Sequence, residues 1–214
     1  MTVTVTADAS AAIEHLRAAD PVLRGLIDEI GPDSLGDRRL SRPRDHYGAL
    51  VRTIVGQQLS TRAARAIYER LTQRFGGRAP TPEEIIADNA DELRTSVGLS
   101  HAKVRYLRSL AEHVLDGSLQ LGKLGRLSDA EVIAELTAIS GIGLWSAHMF
   151  LMFHLQRPDI LPVGDLGIRK AFQAAYGLPA LPDPLEMEKI AEPWRPYRTT
   201  ACLFLWRSLS AVPV

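Results

Sequence analysis

The chain has 214 residues, 46% of them hydrophobic, enough apolar material for a sizeable core in one domain or two lobes, which excludes a disordered protein. Its 25 Lys and Arg balance 25 Asp and Glu, so the overall field selects neither a nucleic acid nor a membrane surface as partner. A single cysteine, Cys202, excludes an intrachain disulfide and any four-cysteine metal or iron–sulfur site built from this chain.

Residues 1–8 alternate Thr and Val with no second strand in sight and read as a loose tail. Residues 1–12 lack the basic, apolar and small-residue succession of a signal peptide, and no apolar run reaches membrane-span length, so a soluble, cytoplasmic protein is expected. Residues 10–19 read as a helix; Pro21 opens a second over residues 22–30, which Gly31-Pro32 closes. Residues 34–44 are polar and irregular. The helix over residues 46–55 carries Leu50, Val51, Ile54 and Val55 on one side and ends at Gly56-Gln57-Gln58. Ser60 caps the next, residues 61–75, which stops at Gly76-Gly77. Gln57-Gln58 therefore sits on an interhelical loop, where a glutamine pair is ordinarily plain surface. Arg52, Arg62, Arg65, Arg70, Arg74 and Arg78 face only Glu69 in this stretch, a pattern that fits a solvated helix face or a phosphate-facing patch beside the glutamines.

Thr81-Pro82-Glu83-Glu84 and Asn89-Ala90-Asp91-Glu92 open two short helices with caps and with acids at the positive end of the dipole. Residues 97–103 turn into a helix striped by Val104, Leu107, Leu110, Ala111 and Val114; Leu99 reads as a staple onto it, and His101, Lys103 and Arg105 cluster within reach of phosphates. Ser128-Asp129-Ala130-Glu131 has capping-box spacing, and Val132, Ile133, Leu136 and Ile139 follow at helical period. Gly141-Ile142-Gly143 then breaks the helix, and residues 144–155 resume as an apolar helix buried on most faces. Glycines here let a phosphate approach the backbone, the second helix offers N–H groups to an anion, and Ile142 pins the turn. An ordinary αα-hairpin with a glycine turn carries the same pattern.

On that second helix Trp145 equally suits core packing, while His148 and His154 lack metal-ligand partners and read as structural. Asp165, after Pro162-Val163-Gly164 and before the helix over residues 166–176, is a good N-cap. N–H groups at the helix start stabilise its anionic form. Asp183-Pro184-Leu185-Glu186 opens a further helix. Pro193-Trp194-Arg195-Pro196-Tyr197 leads into the last, residues 198–209, with Trp194 and Tyr197 reading as staples at the junction and Cys202 as a buried thiol.

Four segments in order, Ile54-Val55-Gly56-Gln57-Gln58-Leu59-Ser60, Gly141-Ile142-Gly143-Leu144-Trp145-Ser146-Ala147, Leu161-Pro162-Val163-Gly164-Asp165 and Pro193-Trp194-Arg195-Pro196-Tyr197, resemble the HhH-GPD superfamily of DNA base-excision glycosylases. The similarity is to the 3-methyladenine DNA glycosylase II (AlkA) branch, in a compact form lacking the N-terminal mixed α/β domain of its longer members. It implies an all-α, two-lobed fold of about ten helices built around a helix-hairpin-helix. One lobe spans residues 46–156; the other joins residues 1–45 to 157–214, with Asp165 and Trp194 on the cleft between them.

The implied activity is that of a monofunctional glycosylase that flips out and hydrolyses alkylated purines of the 3-methyladenine and 7-methylguanine type in base-excision repair, leaving an abasic site. Other lesions, such as etheno or deaminated purines, are the alternative within the class, and a non-catalytic damage-binding protein is the rival outside it. By the same resemblance Asp165 is the catalytic carboxylate, and Trp145, Met149, Trp194 and Tyr197 line the base pocket, Met149 standing where an aromatic is common. Gln58 fills the hole left by the extruded base, and Leu99 wedges against the opposite strand. Gly141, Ile142, Gly143, Ser146, His101 and Lys103 hold the DNA backbone. The carbonyls of Thr137, Ile139 and Ile142 would hold a sodium or potassium ion; no cofactor is required and no iron–sulfur cluster is expected. Trp145 stands where bifunctional relatives carry a Schiff-base lysine, so no lyase activity is expected. The implied partner is double-stranded DNA with damaged bases, with no membrane association and a monomeric chain.

Overall fold

The computed structural model describes residues 7–35 and 45–211. Among them the chain is all-α: α1 (Ala7–Ala19), α2 (Pro21–Ile30), α3 (His46–Gly56), α4 (Thr61–Arg74), α5 (Pro82–Ala87), α6 (Ala90–Val97), α7 (His101–Leu115), α8 (Asp129–Thr137), α9 (Leu144–Phe153), α10 (Leu166–Tyr176), α11 (Pro184–Ala191) and α12 (Arg198–Ala211). Short 3-10 turns cover Pro32–Leu35, Leu121–Arg126 and Glu192–Trp194. The expected N-terminal tail lies outside the described residues except for Ala7 and Asp8, which belong to α1; of the expected irregular stretch, residues 36–44 also lie outside them.

Local side chains fix the helix starts. Ser128 and Glu131 make the reciprocal box, with the Glu131 N–H on Ser128 Oγ at 3.3 Å and the Ser128 N–H on Glu131 Oε2 at 2.7 Å. Thr81 and Glu84 repeat it at α5. Asn89, Ser60, Ser100 and Asp183 accept from first-turn amides of α6, α4, α7 and α11. Each such cap satisfies amides that the helix cannot and stabilises it by about 1 kcal/mol.

The chain divides into two compact units, described residues 7–35 with 156–211 and described residues 45–155. In the first, α12 packs on α10 and α2, and α1 on α2, around Leu16, Leu23, Ile27, Phe172 and Phe204. A buried carboxylate anchors this core. Asp20, 7% exposed, N-caps α2 through Oδ1, which accepts from Val22 N at 2.8 Å and Leu23 N at 3.1 Å. Its Oδ2 accepts from Tyr176 Oη at 2.6 Å and Trp194 Nε1 at 2.9 Å. Burial and the Asp20 carboxylate together push the Tyr176 hydroxyl well above its usual range. At the start of α12, Arg198 and Arg195 both bond Asp159, and Thr199 Oγ donates to Arg157 O at 2.7 Å while accepting from Ile160 N at 3.0 Å. Cys202 lies wholly buried on α12, and burial raises its thiol pKa far above the ordinary value.

In the second unit α3 packs against α4, α7 and α9, α5 lies on α7, and α8 on α9. α3 buries Leu50, Val51, Ile54 and Val55, and α9, which packs against it, buries Ala147, Phe150 and Leu151, consistent with the apolar character of α9. Among the described residues, no helix is long and apolar enough to cross a membrane.

Candidate active site

In the first unit a tight turn delivers the carboxylate. The Asp165 N–H donates to Pro162 O at 2.9 Å, which places Asp165 at the head of α10. Its Oδ1 accepts from Ile168 N at 2.7 Å and from the indole Nε1 of Trp206, on α12, at 3.0 Å. Gly167 makes this approach feasible, since a Cβ there would lie 3.0 Å from that oxygen and 3.1 Å from Trp206 Nε1. Two N–H donors from different helices thus orient a half-buried carboxylate beside an indole.

Trp206 was not singled out in the sequence; Trp194 was, and the structure corrects that assignment. Trp194 is 0% exposed, stacked near Phe172 and Tyr176 with ring centroids at 5.2 and 6.4 Å and tied to Asp20, so no base reaches its face. The signal for Trp206 was weak: an indole N–H in an apolar helix needs an acceptor, but which acid supplies it is a tertiary fact. Tyr197 is half-buried with its ring edge-on to His15 at 5.4 Å, the junction packing of a staple.

In the second unit the hairpin turns at Gly141, whose φ is +87° and where a Cβ would fall 2.0 Å from the Tyr106 ring. Only glycine fits there. Ile142 is buried and its N–H donates to Ile139 O at 3.0 Å. Gly143 N-caps α9 without a side-chain bond, and a Cβ there would meet nothing within 4 Å. The fold itself has no steric need of that second glycine. The Gln57 amide donates to Gly141 O at 2.8 Å and to Ser146 Oγ at 3.0 Å, while the exposed Gln58 adopts φ +57°.

Three other expected DNA-facing side chains are corrected. Leu99, 5% exposed, packs into the core as a staple rather than standing out as a wedge, and the exposed leucine near Gln58 is Leu59. Ser146 is 3% exposed and its hydroxyl already accepts from the Gln57 amide. Lys103 donates to Val55 O at 2.7 Å, closing the end of α3, and burial lowers its pKa. His101 is exposed at the head of α7.

A cavity of about 170 Å³ opens between α3 and α9, lined by Arg52, Thr53, Trp145, Met149, Phe150 and His154 among others. Trp145, 36% exposed, and Met149 thus line the same cavity. At its wall, the Nε2 of His154 stands 2.7 Å from His46 Nδ1, a separation that requires one ring to donate to the other. Burial lowers the pKa of His148. No group of three or more His, Cys, Asp or Glu among the described residues could hold a metal ion. Thr137 ends α8, where helix geometry leaves carbonyls without ladder partners, and Ile139 O takes the Ile142 N–H. Such neutral oxygens at the negative end of a helix dipole suit a hard monovalent cation.

Residues 51–196 match the model of the HhH-GPD superfamily of base excision DNA repair proteins. The chain is 35% identical over 196 residues to DNA-3-methyladenine glycosylase 1 of Schizosaccharomyces pombe, covering 91% of this chain and 85% of that one. The solved complex of the S. pombe 3-methyladenine DNA glycosylase with abasic DNA superposes with a TM-score of 0.86 at 34% identity, over 94% of this chain and 97% of that one. A DNA-3-methyladenine glycosidase from Bacillus halodurans gives a TM-score of 0.76 at 36% identity, covering 92% and 88%. By family match and by identity over most of both lengths, the chain belongs to the HhH-GPD superfamily of base excision DNA repair proteins.

Proposed function

We propose that this protein is a monofunctional DNA glycosylase that extrudes alkylated purines of the 3-methyladenine and 7-methylguanine type and hydrolyses their glycosidic bond, leaving an abasic site. The observation that carries this reading is the Asp165 carboxylate, held from α10 and α12 by the Ile168 N–H and the Trp206 indole. As the sugar develops oxocarbenium character, a pre-oriented anion stabilises it without reorganising, and the same group can direct the attacking water. A lesion that carries positive charge already has a weakened glycosidic bond, so no strong general acid is needed.

The remaining parts follow from the second unit. Gly143 and the first-turn amides of α9 receive a phosphate, with His101 as a further backbone contact. Gln58, exposed on its loop, enters the duplex and offers its amide to the orphaned base. Trp145 gives a flat face for a cationic base through cation–π attraction, with Met149 as a soft wall. A sodium or potassium ion on the carbonyls of Thr137, Ile139 and Ile142 would brace the hairpin and add positive charge behind the phosphate. Trp145 at the hairpin supplies no amine for a Schiff base, so the strand stays intact. The reading carries with it double-stranded DNA as partner, a cytoplasmic location and a monomeric chain.

A second reading has one observation in its favour. Arg52 lines the cavity, and a guanidinium disfavours a cationic base while offering donors to neutral etheno or deaminated purines. Methylated, etheno-adducted, hypoxanthine-containing and control duplexes, incubated with wild type and Asp165→Asn and scored for free base and alkali-labile sites, decide between them. The expected outcome is release of methylated purines by wild type and a loss of about 10³-fold in the variant. Equal release by both proteins removes Asp165 from the mechanism, and no release from any duplex leaves a damage-binding module.

A further inference from the structure

The two hydrogen bonds of Gln57 join parts of the second unit that lie far apart in the chain. One amide nitrogen at the end of α3 reaches Gly141 O, 84 residues on, and Ser146 Oγ, 89 residues on. The first acceptor is the carbonyl of the residue that turns the hairpin; the second lies in the opening turn of α9. The backbone of Gln57 meanwhile leads directly into Gln58, whose left-handed φ of +57° is unusual for a residue with a Cβ. That conformation costs about 1–2 kcal/mol and persists only where the surroundings over-determine it. Lys103 supplies a second restraint from α7 through Val55 O, two residues before Gln57.

We propose that Gln57 is a positioning residue: its amide makes the phosphate-receiving hairpin and the loop bearing Gln58 one mechanical element, so that capture of the backbone and insertion into the duplex happen together. This rests on the glycosylase reading above. It accounts for the amide chemistry of this position. Both N–H groups are used as donors, so a carboxylate of the same length loses the bond to Gly141 O and an aliphatic side chain loses both. It also gives Ser146 a role different from DNA contact, as the acceptor that sets the side-chain angle of Gln57. Without the clamp the hairpin still offers its amides to a phosphate, but Gln58 is no longer held at a fixed distance from it.

The test uses the full chain and two duplexes. The first carries a non-cleavable tetrahydrofuran abasic analogue opposite 2-aminopurine, whose fluorescence reports insertion independently of bond cleavage. The second carries 7-methylguanine, scored by single-turnover release of the base. In Gln57→Leu and Gln57→Glu we expect insertion and excision to fall about tenfold, while affinity for an undamaged duplex stays within about threefold of wild type. Ser146→Ala, which keeps the Gly141 bond, should fall between. Recovery of insertion in Gln57→Glu to the wild-type level would overturn the proposal, because it would make length rather than donation decisive. So would insertion and excision at wild-type rates in Gln57→Leu. A loss of undamaged-duplex affinity equal to the loss of insertion would overturn it too, since the residue would then merely fold the hairpin. Wild type that inserts but releases no base defeats the glycosylase reading while leaving the clamp measured; wild type that does not insert defeats the clamp.

Discussion

Asp20 and Asp165 are both N-caps in the same unit, and their surroundings differ in a way that separates architecture from chemistry. At the α1–α2 junction both oxygens of Asp20 are occupied by four donors in an almost closed core, two of them the ring-borne groups of Tyr176 and Trp194. At the head of α10, one amide and one indole converge on a single oxygen of Asp165, and the residue stays half-buried. A cap whose acceptors are filled by core side chains stabilises the fold. A cap oriented by fixed donors while its residue remains accessible is placed to act on something else.

The widest split should come from replacing each acid. Asp20→Ala leaves the Tyr176 hydroxyl and Trp194 indole buried without an acceptor and removes a helix cap, an expected loss of roughly 3–5 kcal/mol in urea unfolding with activity per folded molecule retained. Asp165→Asn should do the reverse, abolishing excision with a change of about 1 kcal/mol or less in stability. If Asp20→Ala lowers excision by folded molecules as strongly, the distinction fails. Next come the two indoles. Trp206→Phe removes the indole donor on Asp165 and should lower single-turnover excision about tenfold at nearly unchanged stability, whereas Trp194→Phe should cost about 2 kcal/mol by orphaning part of Asp20 and leave excision intact.

The hairpin glycines extend the contrast to the second unit. Gly141→Ala drives a Cβ into the Tyr106 ring at positive φ and should unfold the hairpin or destabilise the unit by about 3 kcal/mol or more. Gly143→Ala meets no protein atom, so its thermal midpoint should match wild type while its duplex affinity drops, measurable by fluorescence anisotropy. Smallest is the pH response of His148. Burial lowers its folded-state pKa, so between that value and about 6.5 the unfolded chain binds the proton that the folded chain refuses. Stability therefore declines as pH falls through that window, and His148→Leu should flatten the decline in urea midpoints compared at pH 7.5 and pH 5.

Much of the architecture was legible because its determinants are local. Ser128 with Glu131, Thr81 with Glu84, Asn89 and Ser100 mark helix starts through bonds that span three residues or fewer, and Asp165 was legible as a cap for the same reason. Leu99 also read correctly as a staple; its assignment as a wedge came from resemblance and failed on burial. What the sequence hid were choices made by tertiary contact. Which tryptophan faces Asp165 depends on the packing of α12 on α10, and spacing cannot tell Trp206 from Trp194. Gln57 looked like surface because its acceptors stand more than eighty residues away, and Lys103 looked like a phosphate contact because nothing in its neighbours reveals Val55 O.

The enclosure of Cys202 has a practical side. With the chain's one sulfhydryl shut inside α12 and its ionisation suppressed, electrophiles that attack exposed thiols find no target in the native protein. A cysteine introduced at Gln58 would then be the sole labelling point, giving a reporter dye on the exposed loop proposed to enter the duplex without any need to strip the background first.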